Sequence, residues 1–536
     1  MFQRITSVMS KRSNDILFQL IQSLEKAEKR HFKLYIKRSS SNENLKIVQL
    51  FDAIDKMNEY DEKILLKKLP SIQKTQLSNL KAHLYKQILA SLRLLKSADS
   101  IDLQLNEQFD YAHILYKKGL FLQSLKILDK AKETAKANHK FTFLNQLISL
   151  EKRIESLHIT RSMQDRADSL SHEAVEVARQ IDMVARLSNL SLHLYSWYIK
   201  HGHARNEEDE KEIKQFLKDH LPEDSWKEKG FYERLYLYQC YTWYAFIRQD
   251  FLQYYRYTQK WVDLFEEMPL MKRVETGHYI KGLHNLLNSH FDLRNHSRFS
   301  ETLEELQNFA KTERVQANDN FRIHSFLYIT QAKLNQHFLR GTFKEGLSLI
   351  PEIKEKLEEY SLFIDPHREM VFNYKIASLY FGSEDYDTCI DYLQNIINDN
   401  VGLRYDLQCY ARLLHLIAHY ELGNYELMEY LSKSVYRFMA KMENLTAFEE
   451  EILKFLRRSF YIPRDKMKIE LEKFLEKVKH FERNRFQTRV FVYLDWISWV
   501  ESKVYNKPMY KIIHEKYLAD KRSAPIKKKK LIQTTA

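Results

Sequence analysis

Apolar residues recur along this chain at intervals of three and four, the spacing of a helix buried on one face. Within the first 100 residues, "SNDILFQLIQSLEKAEKRHFKLYI", "LKIVQLFDAIDKM" and "LSNLKAHLYKQILASLRLL" each carry them at i, i+3, i+4 and i+7. The pattern predicts three amphipathic helices, the first opened by a cap in "SND" and the third preceded by a loop at Pro70. Towards the other end, Pro463 begins "RDKMKIELEKFLEKVKHFERNRF" and Pro508 separates a last helix.

Between these ends a longer pattern repeats. A turn residue stands two places before an aromatic in "KKGLFLQSLKILDKA" (Gly119, Phe121), "RQDFLQYYRYTQKW" (Phe251) and "NHSRFSETLEELQNF" (Phe299). The same holds in "LRGTFKEGLSLIPEI" (Gly341, Phe343), "GSEDYDTCIDYLQNI" (Tyr386) and "YELGNYELMEYL" (Gly423, Tyr425). A small residue follows three places on (Ser124, Thr302, Gly346, Cys389), although Tyr254 and Met428 break that slot. The aromatics are spaced 130, 48, 44, 43 and 39 residues apart; the first gap should hold two degenerate repeats, with turns near "RSMQDRADS" and "HGHARNEEDE". A period in this range marks stacked helical hairpins. In each, the turn residue ends one helix, the aromatic fills the wedge between the two, and the small residue lets them approach. Gly423 is therefore expected at a helix C-terminus, and Tyr425 buried between two antiparallel helices.

Turn, aromatic, small residue and later apolar position together resemble the tetratricopeptide-repeat family. The resemblance covers roughly residues 101–440, with a period longer than the family's 34. It implies an all-α fold: a right-handed α-solenoid of antiparallel helix pairs, irregular, with a period of about 40–45 and helical caps at both ends. The expected organisation is a basic helical domain over residues 1–100, the solenoid over 101–440, a helical cap over 441–522 and a disordered basic tail over 523–536. It further implies a non-catalytic scaffold or adaptor that binds a partner protein or peptide through its concave face. In the family, side chains of each hairpin's first helix line that groove. Counting back three from each turn slot gives Tyr116, Phe246, Arg294, Phe338, Phe381 and Tyr420, and Tyr374 joins them. No Lys, Arg or Asn recurs six places before the turns, so the family's clamp for a C-terminal carboxylate is not evident.

Composition and charge sharpen this. Only 10 Gly and 8 Pro in 536 residues leave room for few turns and long elements. Cys240, Cys389 and Cys409 lie far apart, with no CxxC pair, and read as small hydrophobes of a reducing compartment. Apolar runs are too short to cross a membrane and no secretory h-region is present, so a cytoplasmic protein is expected. The basic N-terminus reads as a frayed end with Met9 as an alternative start, an organelle presequence being the other reading. The net charge of +13 sits at the ends: +9 over residues 1–100, +10 over 441–536 and −6 between. A second reading follows, a nucleic-acid- or ribosome-associated protein using Arg483, Arg485, Arg489 and Lys527, Lys528, Lys529 and Lys530 on a polyanion. A third, a peptide-sensing regulator with a DNA-binding N-terminus, lacks the compact glycine-containing turn it would need. No phosphate loop, dinucleotide fingerprint, HExxH or GxSxG occurs, and His201 and His203 in "HGH" have no third ligand nearby. Neither an enzyme nor a cofactor is expected.

Overall fold

The computed structural model of the chain describes residues 15–37, 42–96, 100–158, 164–227, 230–398, 404–442, 445–459, 461–482, 484–488 and 490–520. Among these residues the regular structure is helical throughout, with no strand. The chain gathers into two compact units, residues 1–179 and 180–536.

In the first unit, Leu50, Phe51, Ile54, Leu84 and Ile88 form a solvent-free core. Asp15 caps the opening helix, accepting from the Phe18 N–H at 2.9 Å. That opening stretch is two helices where one was expected, Ile16–Ser23 and Lys26–Lys37. Leu24 leaves helical geometry and turns into the core, and the Glu25 N–H then donates to the Glu28 carboxylate at 2.9 Å, starting the second helix afresh. The helices Ile101–Lys117, Phe121–Ala137 and Phe141–Leu157 follow. Ser124 is small enough to bring the first two together, its hydroxyl donating to the Ala112 carbonyl at 2.8 Å.

The second unit is a series of helix pairs: Phe231–Ile247 with Phe251–Glu267, and Thr276–Asp292 with His296–Ala310. Asp319–Arg340 leads into the short helices Phe343–Gly346 and Ile350–Glu359. Pro366–Gly382 with Tyr386–Ile397 and Tyr405–Glu421 with Tyr425–Lys441 complete the series. One turn type recurs through both units. A residue with positive φ (His139, Gln249, Arg294 and Glu384 as well as Gly119, Gly341 and Gly423) stands two places before the next helix. The residue after it donates its N–H to the carbonyl five places back, as in Leu120 to Leu115, Lys140 to Ala135, Asp250 to Ala245 and Asn424 to His419. This is the Schellman closure, which satisfies carbonyls that a helix end leaves without partners.

Three expectations change. Between 130 and 240 helices do break near "RSMQDRADS", where Gln164–His201 begins, and at "HGHARNEEDE", where it ends and Glu207–His220 follows, but a further turn stands at His139 and the helix between the two breaks is 38 residues long. The repeat at Phe299 is displaced by one helical turn, because Arg294 makes the turn and His296 opens the helix. Tyr425 is 59% exposed rather than buried. Met428, three places on in the same helix, is buried instead. Phe299 and Phe343 are buried, and at Gly346 an added Cβ would stand 2.9 Å from the Leu379 side chain, so the helices do meet on a small residue there.

Candidate functional site: an interior cavity closed by the C-terminal segment

Within the second unit lies a cavity of about 960 Å³. The first helices of successive pairs face it, and the turn geometry explains which residues they present. Three places before each positive-φ residue stand Phe246, Phe291, Phe338 and Phe381, and all four line the space. The same position at the next turn is Tyr420, whose ring lies 6.3 Å from Trp499. Equivalent places on successive helices thus build an aromatic wall.

The opposite wall is the chain's own C-terminal segment, from Thr488 to Asp520. Tyr374 donates to the Tyr493 carbonyl at 3.2 Å, and Tyr493 donates to Asp406 Oδ2 at 2.7 Å while its ring stacks on Tyr410 at 3.9 Å. Asp406 also receives two bonds from Arg404, at 2.8 and 3.0 Å. The Trp499 indole donates to Glu421 at 2.7 Å. Asp495 caps the helix Trp496–Tyr505 and pairs with Arg294 at 3.3 Å. Burial would raise the Asp495 carboxyl, but Arg294, Lys516 and the Ser498 N–H outweigh it and hold it below its usual range. The last helix, Met509–Ala519, lies against the Gly341 turn, where His514 Nδ1–H donates to the Arg340 carbonyl at 2.8 Å.

One part of the wall is polar. Lys281, His284 and Asp292 lie along one side of Thr276–Asp292, the first two a turn apart and the third at its end, and Lys375 reaches in from Pro366–Gly382. The His284 ring stacks on Tyr328 at 3.9 Å. Burial drives its pKa far down, and Lys281, Lys375 and Arg368 press the same way, so the imidazole is neutral at pH 7. Burial also pushes Asp292 up to about 7 and Lys375 down to about 8, while the attraction between the two works against both shifts.

Of the residues singled out in the sequence, Phe246, Phe338, Tyr374 and Phe381 come together at this cavity. Tyr116 belongs to the first unit, beside Phe121 (5.9 Å) and His158 (6.0 Å). Arg485 forms an ion pair with Glu210, which also binds Arg248. Arg483, Arg489 and Lys527 to Lys530 lie outside the described residues. His203 donates from Nδ1 to the Phe246 carbonyl at 2.7 Å, and among the described residues no cluster of His, Cys, Asp and Glu is arranged to hold a metal. The three cysteines are buried, and burial raises the thiols of Cys240 and Cys389. Among the described residues no helix is long and apolar enough to cross a membrane.

Sequence reasoning missed Phe291, because its repeat was aligned three residues late. It also missed the polar stripe, which is scattered over helices whose contacts no local pattern reveals. The aromatics of "VFVYLDWISWV", a stretch too short to cross a membrane, are the one local signal from which the C-terminal wall could have been found. Comparison with family models, with curated proteins and with solved structures returns no match.

Proposed function

We propose that this chain is a tetratricopeptide-like helical-repeat protein, its helix pairs stacked as a right-handed solenoid, that acts as a non-catalytic adaptor. Its interior groove holds an aromatic-rich peptide segment of a partner protein. The observation that supports this is the seating of the chain's own residues 490–505 against the first helices. Tyr493 and Trp499 supply the aromatic anchors there, and Asp406 and Glu421 accept their polar hydrogens. A groove that holds such a segment in cis has the chemistry to hold one in trans, by aromatic anchors in pockets with a few directed hydrogen bonds.

The test uses the full chain and a fluorescent peptide of residues 488–505. Tyr493→Ala with Trp499→Ala weakens the internal segment and leaves the groove intact. The labelled peptide should bind this double variant at least tenfold more tightly than the unaltered chain, by anisotropy, and a peptide carrying the same two substitutions should not bind. Absence of peptide binding to the double variant would sink the adaptor reading.

A further inference from the structure

The cationic side chains around the cavity fall into two groups. Four have a carboxylate: Arg294 with Asp495, Arg368 with Asp365, Arg404 with Asp406 and Lys516 with Glu501, at 2.7 to 3.3 Å. Two do not. Lys375 Nζ is held 2.6 Å from the Asn335 amide oxygen and lies 5.6 Å from the centre of the Phe338 ring. Lys281 Nζ stands 5.3 Å over Tyr328. Neither makes an ion pair among the described residues.

An ammonium group drawn away from water is costly unless an anion accompanies it, and rings and an amide oxygen compensate only in part. Both lysines line the same open volume: Lys281 stands over the Tyr328 ring on which His284 stacks, and Lys375 is held at Asn335, about two turns further along the same helix. Asp292, at the other end of the helix that carries Lys281, attracts Lys375 without forming an ion pair with it. Apart from the paired and the exposed groups, the cavity wall therefore carries two ammonium groups against one carboxyl, beside an aromatic wall, in a space large enough for a small molecule.

We propose that the cavity binds a small organic anion, a carboxylate or phosphate monoester on an aromatic body. Lys281 and Lys375 hold the anionic group, and Phe246, Phe291 and Phe338 take the body. This assignment does not rest on the peptide reading, because Lys281 and Lys375 carry it and its ligand is small enough for the cavity with the C-terminal segment in place.

The experiment is calorimetric titration of the full chain at pH 7 with 2-naphthoate, 1-naphthyl phosphate and the neutral 2-naphthamide. At least one anion should bind tenfold or more tightly than the amide, and the stronger of the two identifies the anionic group the site prefers. Lys281→Gln and Lys375→Gln should each weaken the anion tenfold and leave the amide unchanged. Lys375→Gln removes a desolvated charge and Lys281→Gln one without an ion pair, so the variants should melt no lower than the unaltered chain, which separates lost binding from lost folding. Lys433→Gln, on the surface beside Glu429, should change nothing. Equal affinity for anion and amide, no binding of either anion, or anion affinity within twofold in the Lys281 and Lys375 variants would each overturn the assignment. Loss of peptide binding in trans with naphthoate binding retained would remove the adaptor reading alone.

Discussion

Asp292 shows what a single side chain does to this molecule. Its carboxyl has a usual value of 3.8 and, chiefly through burial, titrates at about 7 in the folded chain. Between those values the folded state keeps a proton that the unfolded state has released, so the group's contribution to stability falls as pH rises from about 4 to about 7. Asp292→Asn removes the titration while keeping the shape. It should be more stable than the unaltered chain by at least about 1 kcal/mol at pH 7.5, with the difference closing towards pH 4. Chemical denaturation across pH 4 to 7.5 is the check, and a constant difference would show that Asp292 is ordinarily solvated. The aromatic at the head of each hairpin's second helix is a second lesson at this scale. Phe343 and Tyr425 hold the same place, yet one is buried and the other 59% exposed. Local pattern assigns the position, and the covering neighbour, distant in sequence, decides the burial.

At the scale of the elements, most helices were legible because periodicity is a local property. The turns were legible in part. Gly119, Gly341 and Gly423 announce a positive φ, but His139, Arg294 and Glu384 adopt the same conformation with nothing in their side chains to signal it. Such a residue costs on the order of 1 kcal/mol, and the Schellman bonds of two adjoining helices offset that. Missing Arg294 as a turn shifted one repeat and hid Phe291 from the aromatic wall. Gly341 differs from its equivalents in having a close neighbour: an added Cβ would lie 2.5 Å from the Tyr510 carbonyl oxygen and 2.8 Å from the His514 nitrogen, whereas at Gly119 it would meet nothing within 4 Å. Gly341→Ala should therefore lift the helix Met509–Ala519 from its seat, raising amide exchange there at least tenfold. Gly119→Ala should cost only the backbone strain of about 1 kcal/mol. If the two variants behave alike in exchange, the docking of the last helix does not depend on Gly341.

For the molecule as a whole, the feature with the widest reach is the long span between the C-terminal segment and its partners. Arg485 meets Glu210 across 275 positions, Thr488 meets Gln249 across 239, and Asp495 meets Arg294 across 201. The helix pairs, by contrast, join neighbours in sequence. Pairings of that reach were beyond any local reading, which is why the wall of the cavity was legible and its closure was not. They also impose an order in time. Contacts between neighbours form before contacts that must close a loop of hundreds of residues. Pulse-labelled refolding should accordingly show the amides of Thr276–Asp292 and Asp319–Arg340 protected first and those of Trp496–Tyr505 afterwards; simultaneous protection would contradict it. On the ribosome the delay is set by translation itself, since residues 490–520 emerge after every helix they cover. At some 5–20 residues per second, the growing chain spends roughly 10–40 s with Phe246 and Phe291 unroofed before Tyr493 is made. During that interval the nascent protein offers an aromatic trough to chaperones and to other chains alike, and a message cut short before codon 490 would leave it permanently open.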